Sequence, residues 1–293
     1  MVVTDLDGTL LTADDRVTAE TSRRLAALSR HGVVVAIATG RSWRTALRVQ
    51  RQLGLRGPFI AHNGAYVYDT RNRGQWYANR VPLGEARRML AWATSRHIMM
   101  RCYLGVGQPV LFNLFTAQHR DQFLRPEDRV VDQLARKLEV SPVEMFLFGQ
   151  DDVDAFLERF GTPESSTGST GAHRHLPYET FVFDHPARGI REVNVCAPGV
   201  DKLDGVRAAC QRLGIQSDEV LAIGDGLNDL ALMRWAGMAV AMSTGVDVAK
   251  EAADYVTDPR HTDPVLDAIR WAWSRFGLTP PWEPDAPAPE ASW

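Results

Sequence analysis

Cysteine is scarce in this chain of 293 residues, which has only Cys102, Cys196 and Cys210. They make no CxxC pair and no even-numbered set, which excludes the disulfide framework of a small secreted domain. No basic segment followed by a short apolar run resembles a signal peptide. We therefore expect a protein of the reducing cytoplasm.

Long apolar runs and a strong charge imbalance are also missing. No run reaches the roughly 18 residues that a membrane-spanning helix needs. The formal net charge is −3, which gives no reason to expect an acidic polymer or an anionic lipid surface as a partner. We expect neither nucleic acid nor a membrane as a partner, and the sequence leaves the oligomeric state open.

Lysine is rare as well: Lys137, Lys202 and Lys250 are the only lysines among 33 lysine and arginine residues. Where the chain needs generic positive charge, it uses arginine. An ammonium group is a compact point charge, whereas a guanidinium is a planar fork. A lysine that stands near other functional groups therefore indicates a requirement for that compact charge.

Three common catalytic motifs are absent from the sequence. A nucleotide-dependent dehydrogenase would carry GxGxxG after its first strand, where this chain has Asp5-Leu6-Asp7-Gly8. There is no GxxxxGK[ST] loop of a P-loop enzyme and no GxSxG elbow of an esterase. These three enzyme classes are excluded.

What is present is an alternation of strand and helix patterns at both ends of the chain, typical of an α/β fold with a parallel sheet. Between residues 82 and 190 the pattern changes to neighbouring strands without intervening helices, which indicates an inserted α+β unit. We therefore predict a core of residues 1–81 and 191–277 and an inserted domain of residues 82–190. Residues 278–293 hold five prolines and little periodicity, and are predicted to be a disordered tail.

Polar residues stand where the predicted strands end or where a predicted helix begins. In a parallel sheet, ligands bind beyond the carboxyl ends of the strands. Four clusters lie at or near such places: Asp5 with Asp7, Thr39 with Gly40, Lys202, and Asp225 with Asn228 and Asp229. Their joint occurrence in this order indicates a functional site.

The motifs resemble those of the haloacid dehalogenase (HAD) superfamily. DLDGTLL, the Thr39 region, Lys202 and GDGLND match its four motifs, and TGR, NGA, GVDK, AVAM and AADYVT resemble its Cof-type sugar-phosphatase branch, subfamily IIB. The resemblance implies a Rossmann-like HAD core with an inserted α+β cap domain. It also implies a magnesium-dependent phosphatase of small phosphorylated metabolites that works through an aspartyl-phosphate.

Residue chemistry supports this assignment. A carboxylate can attack phosphorus and split one difficult hydrolysis into two easier steps, which makes Asp5 the candidate nucleophile. Asp7, two residues later, can protonate the leaving group and then deprotonate the attacking water. Lys202 is expected to neutralise both the nucleophile and a phosphoryl oxygen.

A cation is needed to gather these carboxylates around a phosphate, and Mg²⁺ suits oxygen ligands. By resemblance the ligands are Asp5, the backbone carbonyl of Asp7 and Asp225, with Asp229 acting through water. For the phosphate we expect the Thr39 hydroxyl, the exposed backbone amides after Leu6 and Gly40, and Asn228 as donors. Arg41 could reach the substrate or pair with a carboxylate.

Two alternatives remain open from the sequence. A phosphomutase of the same superfamily would return the phosphoryl group to a sugar hydroxyl, although GDGLND is more similar to the phosphatases. A non-catalytic sensor of phosphorylated ligands would be expected to lack Asp5 or Asp7, and both are present.

Overall fold

The computed structural model describes residues 1–12, 14–115, 125–161, 176–185 and 190–283. The chain divides into two compact units. The first unit consists of Met1–Tyr77 and Asp201–Trp293, and the second is the insertion Ala78–Val200. The α/β fold class predicted from the sequence is confirmed.

An eight-stranded sheet forms the centre of the first unit, in the order β14-β13-β12-β1-β2-β3-β4-β5. From β14 to β3 each strand is parallel to its neighbour, and β4 then runs antiparallel to β3. The strands are β1 (Val2–Thr4), β2 (Val35–Ala38), β3 (Pro58–Ala61), β4 (Tyr66–Asp69), β5 (Gly74–Ala78), β12 (Leu221–Gly224), β13 (Met238–Ala241) and β14 (Tyr255–Val256).

The central strand β1 has only three residues but is fully buried. Val3 lies between Ala36 of β2 and Ala222 of β12, so both edges of the strand are hydrogen-bonded. Apolar runs such as Val2-Val3 are typical of parallel strands that are covered on both faces. The short strand therefore still holds a central position, and the residue after it lies at the carboxyl edge of the sheet.

Helices accompany this sheet, and the apolar side of one of them contributes directly to the core. Val206 and Ala209 pack with Val3, Ala36 and Ala222 in one buried apolar cluster. The helices of the first unit are α1 (Ala19–Arg30), α2 (Trp43–Gln52), α6 (Lys202–Leu213), α7 (Leu230–Trp235), α8 (Asp247–Glu251) and α9 (Pro264–Ser274).

The second unit has its own six-stranded sheet, in the order β10-β11-β9-β6-β7-β8, and its own apolar core. Its pairings are antiparallel except that of β7 with β8. The strands are β6 (Arg101–Tyr103), β7 (Leu111–Phe112), β8 (Arg129–Val130), β9 (Glu144–Phe148), β10 (Glu179–His185) and β11 (Ile190–Cys196). The helices are α3 (Leu83–Ser95), α4 (Leu134–Lys137) and α5 (Gln150–Phe160).

The sequence places the ends of the inserted unit at residues 82 and 190, whereas the structure places them at Ala78 and Val200. The reason is strand pairing: β11 bonds to β9 and β10 and so belongs to the second sheet. The sequence assigns this segment to the core because the α/β pattern resumes there. Strands β4 and β5 were not foreseen either, and β4 adds an antiparallel neighbour to the parallel sheet.

Part of the expected tail lies within the described residues and makes contacts. Nη1 of Arg24 donates a hydrogen bond to the carbonyl oxygen of Trp282 (2.8 Å), and Arg270 pairs with Glu283 at 3.0 Å. Residues 284–293 lie outside the described part. Among the described residues, no helix combines the length and apolar character needed to cross a bilayer.

Candidate active site

Three neighbouring strands bring the sequence-predicted residues to one edge of the first sheet. Asp5 follows β1, Thr39 follows β2 and Asp225 follows β12, and β1 lies between the other two strands. Because these strands are parallel, their carboxyl ends meet at the same edge. Residues from distant parts of the sequence are therefore close together.

The centre of the site is a buried ammonium group between two carboxylates. Nζ of Lys202 lies 2.9 Å from Oδ1 of Asp5 and 2.7 Å from Oδ1 of Asp229, and the lysine side chain is fully buried. Lys202 is the first residue of α6, and the side chain of Asp201 caps that helix by accepting a hydrogen bond from the amide of Leu203. The helix start thus directs this lysine towards the end of β1.

Both oxygens of Asp229 are engaged by the protein. Oδ1 contacts Lys202, and Oδ2 accepts hydrogen bonds from the amides of Asp225 (3.1 Å) and Gly226 (3.0 Å). A side chain at Gly224 would have no room, since its Cβ would lie 2.5 Å from Cγ of Asp229. Asp229 therefore holds both Lys202 and the loop that carries Asp225.

The loop that follows β1 contacts Asp225 and fixes its position. Its Oδ1 accepts a hydrogen bond from the hydroxyl of Thr9 (2.9 Å). Gly8, with φ of +71°, lies so close that a Cβ there would overlap Oδ2 of Asp225. The glycine is thus required both by its left-handed backbone and by the approach of this carboxylate.

The arrangement fits a divalent cation. Carboxylate oxygens of Asp5, Asp225 and Asp229 lie within 4.8 Å of one another, and one ammonium group cannot neutralise all three. An all-oxygen donor set of this kind suits Mg²⁺. Of the three, Asp5 and Asp225 have the freer oxygens, because both oxygens of Asp229 already have partners.

Burial shapes the electrostatics of these groups. It raises the pKa of the Asp5 carboxyl to about 7, against the lowering effect of Lys202 and with a further rise from Asp229. Burial also raises the pKa of Asp225. For Lys202, burial disfavours the charged form, but the two carboxylates outweigh it and raise its pKa. A bound cation would favour the ionised carboxylates.

Asp7 is not one of the three clustered carboxylates. About half of its side chain is exposed, and Nε of Arg41 lies 2.9 Å from each of its carboxylate oxygens. Nη2 of Arg41 bonds to both Asp7 and Asp15. Of the two possibilities that the sequence left for Arg41, the structure shows the carboxylate pairing.

The expected phosphate-binding residues lie around the same edge. Thr39 is fully buried, and its hydroxyl accepts a hydrogen bond from the amide of Arg41 at 3.0 Å. Asn228 donates from Nδ2 to Oδ1 of Asn63 at 3.4 Å. Leu6 is buried and begins the turn Leu6–Leu10, in which its carbonyl accepts from the amide of Leu11.

Comparison with known proteins decides the family. The sequence-family model of the haloacid dehalogenase-like hydrolases matches residues 2–269. The chain belongs to this family. The family and the enzyme class that the motifs predict, a phosphoric monoester hydrolase of the HAD superfamily, are confirmed.

Relatives of this HAD hydrolase carry phosphatase names. A phosphoglycolate phosphatase of Methanopyrus kandleri is 30% identical over 92% of this chain and 95% of its own length. A 5-amino-6-(5-phospho-D-ribitylamino)uracil phosphatase of Bacillus subtilis, YcsE, is 28% identical over 92% of this chain and 94% of its own length. Both matches cover nearly the whole of the two proteins compared.

A solved structure gives the same fold, and a further relative is much longer. The structure of a HAD subclass IIB sugar phosphatase has a TM-score of 0.65 and 22% identity, covering 94% of this chain and 98% of that one. A chloroplastic endoribonuclease of Arabidopsis thaliana is 24% identical over 90% of this chain but only 45% of its own length. The HAD hydrolase thus spans less than half of that relative.

Three residues at the site were not assigned a role from the sequence: Thr9, Asp15 and Asn63. Thr9 stands inside DLDGTLL and Asn63 inside NGA, so motif membership was their signal. Asp15 belongs to no motif, and its contact with Arg41 arises only from the folded loop.

Proposed function

We propose that this HAD hydrolase is a Mg²⁺-dependent phosphatase of small phosphorylated metabolites that forms an aspartyl-phosphate on Asp5. The observation that carries the proposal is the buried contact of Lys202 with Asp5 and Asp229, next to Asp225. It combines a carboxylate nucleophile, a fixed positive charge and oxygen ligands in one place.

In the first step, a carboxylate oxygen of Asp5 attacks phosphorus and the bond to the leaving-group oxygen breaks. Asp7 donates a proton to that oxygen, so the product leaves as an alcohol. Since Asp7 is paired with Arg41, this pair has to loosen before the carboxyl can hold a proton. The Lys202 ammonium offsets the negative charge on the transferring group.

In the second step, water attacks phosphorus of the aspartyl-phosphate. Asp7, now ionised, takes the proton from this water, and the bond between phosphorus and Asp5 breaks. Inorganic phosphate is released and both carboxylates return to their starting states. The half-exposed position of Asp7 is compatible with contact to both the leaving group and water.

Asp5, the backbone carbonyl of Asp7 and Asp225 would hold the Mg²⁺ ion, with Asp229 acting through water. Bound there, the ion supplies charge neutralisation for the carboxylates and the phosphoryl oxygens. Thr9 keeps Asp225 in position through the hydrogen bond to its Oδ1. The residues themselves therefore set where the cation can bind.

The phosphoryl oxygens would be bound by a ring of donors at the edge of the sheet. The Thr39 hydroxyl, the backbone amides after Leu6 and Gly40, the Asn228 amide and Lys202 supply these donors. Arg41 can join them only by leaving Asp7 or Asp15, because it is bonded to both. This assignment is supported by the position of these donors at the same edge of the sheet as Asp5.

The substrate class rests on the relatives, which are named for small phosphorylated metabolites. We therefore propose a sugar phosphate or a similar phosphomonoester as the substrate. A cytoplasmic location is also proposed, and it is supported by the three cysteines, all buried and free.

The decisive experiment measures phosphate release from p-nitrophenyl phosphate with Mg²⁺, with a chelator, and with the Asp5→Asn variant. We expect turnover only with Mg²⁺, and a loss of about three orders of magnitude or more in Asp5→Asn. Asp218→Asn is the matched control, since Asp218 is exposed and precedes β12 at the opposite edge of the sheet. Wild-type turnover in Asp5→Asn would disprove the nucleophile.

A further inference from the structure

A strained turn follows β3 beside the candidate active site. His62 and Asn63 both have φ of +54°, in the left-handed region that asparagine tolerates better than most residues. The amide of Asn63 donates to the carbonyl of Thr39 at 3.1 Å. The side chain of Asn63 is buried, with an exposed fraction of 4%. The turn therefore holds this side chain in one place.

The carbonyl oxygen of the Asn63 side chain reaches two loops at once. Oδ1 accepts a hydrogen bond from Nδ2 of Asn228 at 3.4 Å. The same oxygen would lie 2.7 Å from a Cβ at residue 40, so it packs directly over the backbone of Gly40. These are the loops after β12 and β2, and both are assigned above to the phosphoryl group.

The next residue of the turn meets a third segment of the site. Gly64 has φ of +100°, and a Cβ there would overlap the carbonyl oxygen of Asp201. Asp201 caps the helix that begins with Lys202. Asn63 and Gly64 thus contact the segments that carry Gly40, Asn228 and Lys202.

The amide nitrogen of the Asn63 side chain differs from Oδ1 in its contacts. Nδ2 is buried and has no hydrogen-bond partner among the described residues. A buried amide donor without a partner lowers stability, so this nitrogen does not stabilise the turn. Oδ1 is therefore the atom of this side chain that joins the two loops.

We propose that Asn63 is a positioning residue for phosphoryl binding, which orients the amide of Asn228 and the backbone at Gly40. This inference rests on the proposed function, since it assumes that Asn228 binds a phosphoryl oxygen. Asn63 acts through its neighbours: it aligns two donors before the substrate arrives, which reduces the ordering that binding requires.

The test is the Asn63→Gly variant, which accepts the left-handed backbone and removes only the side chain. We expect KM for p-nitrophenyl phosphate and the inhibition constant of inorganic phosphate to rise about tenfold, with a smaller change in kcat. Arg73→Gly is the matched control, because Arg73 is exposed in a turn and has φ of +53°. It should leave both constants unchanged.

A double-mutant cycle with Asn228→Ala separates positioning from general damage. Because Asn63 acts partly through Asn228, the double variant should lose less phosphate binding than the product of the two single losses. The inference would be overturned if the losses of the two single variants simply multiply. It would also be overturned if Asn63→Gly has an unchanged KM and a lowered Tm. In both cases wild-type turnover would still support the proposed function. A wild type without turnover would overturn both.

Asn63→Ala is the second variant in the same cycle, and it differs from Asn63→Gly in placing a Cβ in the left-handed region. It keeps a Cβ at the turn and still lacks Oδ1. The same outcome is expected, and an unchanged KM would again contradict the role of Oδ1.

Discussion

Nζ of Lys202 lies 2.9 Å from Oδ1 of Asp5, and both side chains are almost completely shielded from water. One residue follows the first strand and the other begins a helix after the inserted unit. Because ionised groups are costly to bury, each of the two charges is stabilised there by the other. The site is therefore part of the core of the first unit as well as a place for chemistry.

Replacing Lys202 by methionine should destabilise the metal-free protein by about 3–5 kcal/mol, because it leaves two buried carboxylates without their cation. Urea unfolding in the presence of a chelator measures this. The double variant Lys202→Met/Asp229→Asn should recover part of the stability but none of the phosphatase activity. Lys250→Met is the control, since Lys250 pairs with an exposed carboxylate, and it should change little. Equal stability of Lys202→Met and wild type would contradict the buried charge pair.

Gly8→Ala should weaken Mg²⁺ binding, because the added methyl group overlaps Oδ2 of Asp225. Gly54→Ala separates backbone strain from this contact: its φ is +65°, but nothing lies within 4 Å of the new atom. Both variants should lose about 1 kcal/mol of stability through the backbone, and Gly8→Ala should lose more through the overlap. Only Gly8→Ala should need more Mg²⁺ for half-maximal activity, measured by Mg²⁺ titration. Equal Mg²⁺ requirements of the two variants would argue against the contact.

Mg²⁺ should raise the Tm of the wild type, because a ligand that binds only the folded state stabilises it. In Asp225→Asn this rise should shrink or disappear, since the variant loses a charged oxygen ligand. Differential scanning fluorimetry with and without Mg²⁺ measures the effect without using turnover. Ca²⁺ serves as a comparison for ion selectivity. A full Mg²⁺ shift in Asp225→Asn would place the cation elsewhere.

Burial raises the pKa of the Cys102 thiol to about 12, whereas an unfolded thiol has a pKa near 9.0. Between these values the folded protein keeps a proton that the unfolded chain loses, so the free energy of unfolding should fall as pH rises above about 9. Cys102→Ala should show a smaller fall. Unfolding curves from pH 8 to about 10.5 would reveal it. An identical slope in both proteins would contradict the raised pKa.

Labelling gives an independent check of the same cysteine. Native protein treated with iodoacetamide at pH 8 should leave Cys102 unmodified, since only an accessible thiolate reacts. After unfolding, the same reagent should label it. Rapid labelling of the native protein would show that the second unit opens around β6.

The amino-acid sequence by itself determined the family, the fold class and the residues that lie at the end of three strands. Asp5, Thr39 and Asp225 could be placed together because buried apolar runs before them predict parallel strands, and such strands end at one edge. Lys202 was indicated by its place at a predicted helix start, by its motif and by its rarity in an arginine-rich chain. These are local features combined with one topological rule.

Only the tertiary structure decided which side chains contact each other and where the inserted unit ends. The bonds of Arg41 to Asp7 and Asp15, and of Asn228 to Asn63, join loops whose separation depends on the packing of the whole unit. Likewise β11 belongs to the second sheet because it pairs with β9 and β10. The sequence pattern of a strand does not indicate which strand it pairs with. Contacts between distant segments depend on register and close approach, which local sequence does not contain.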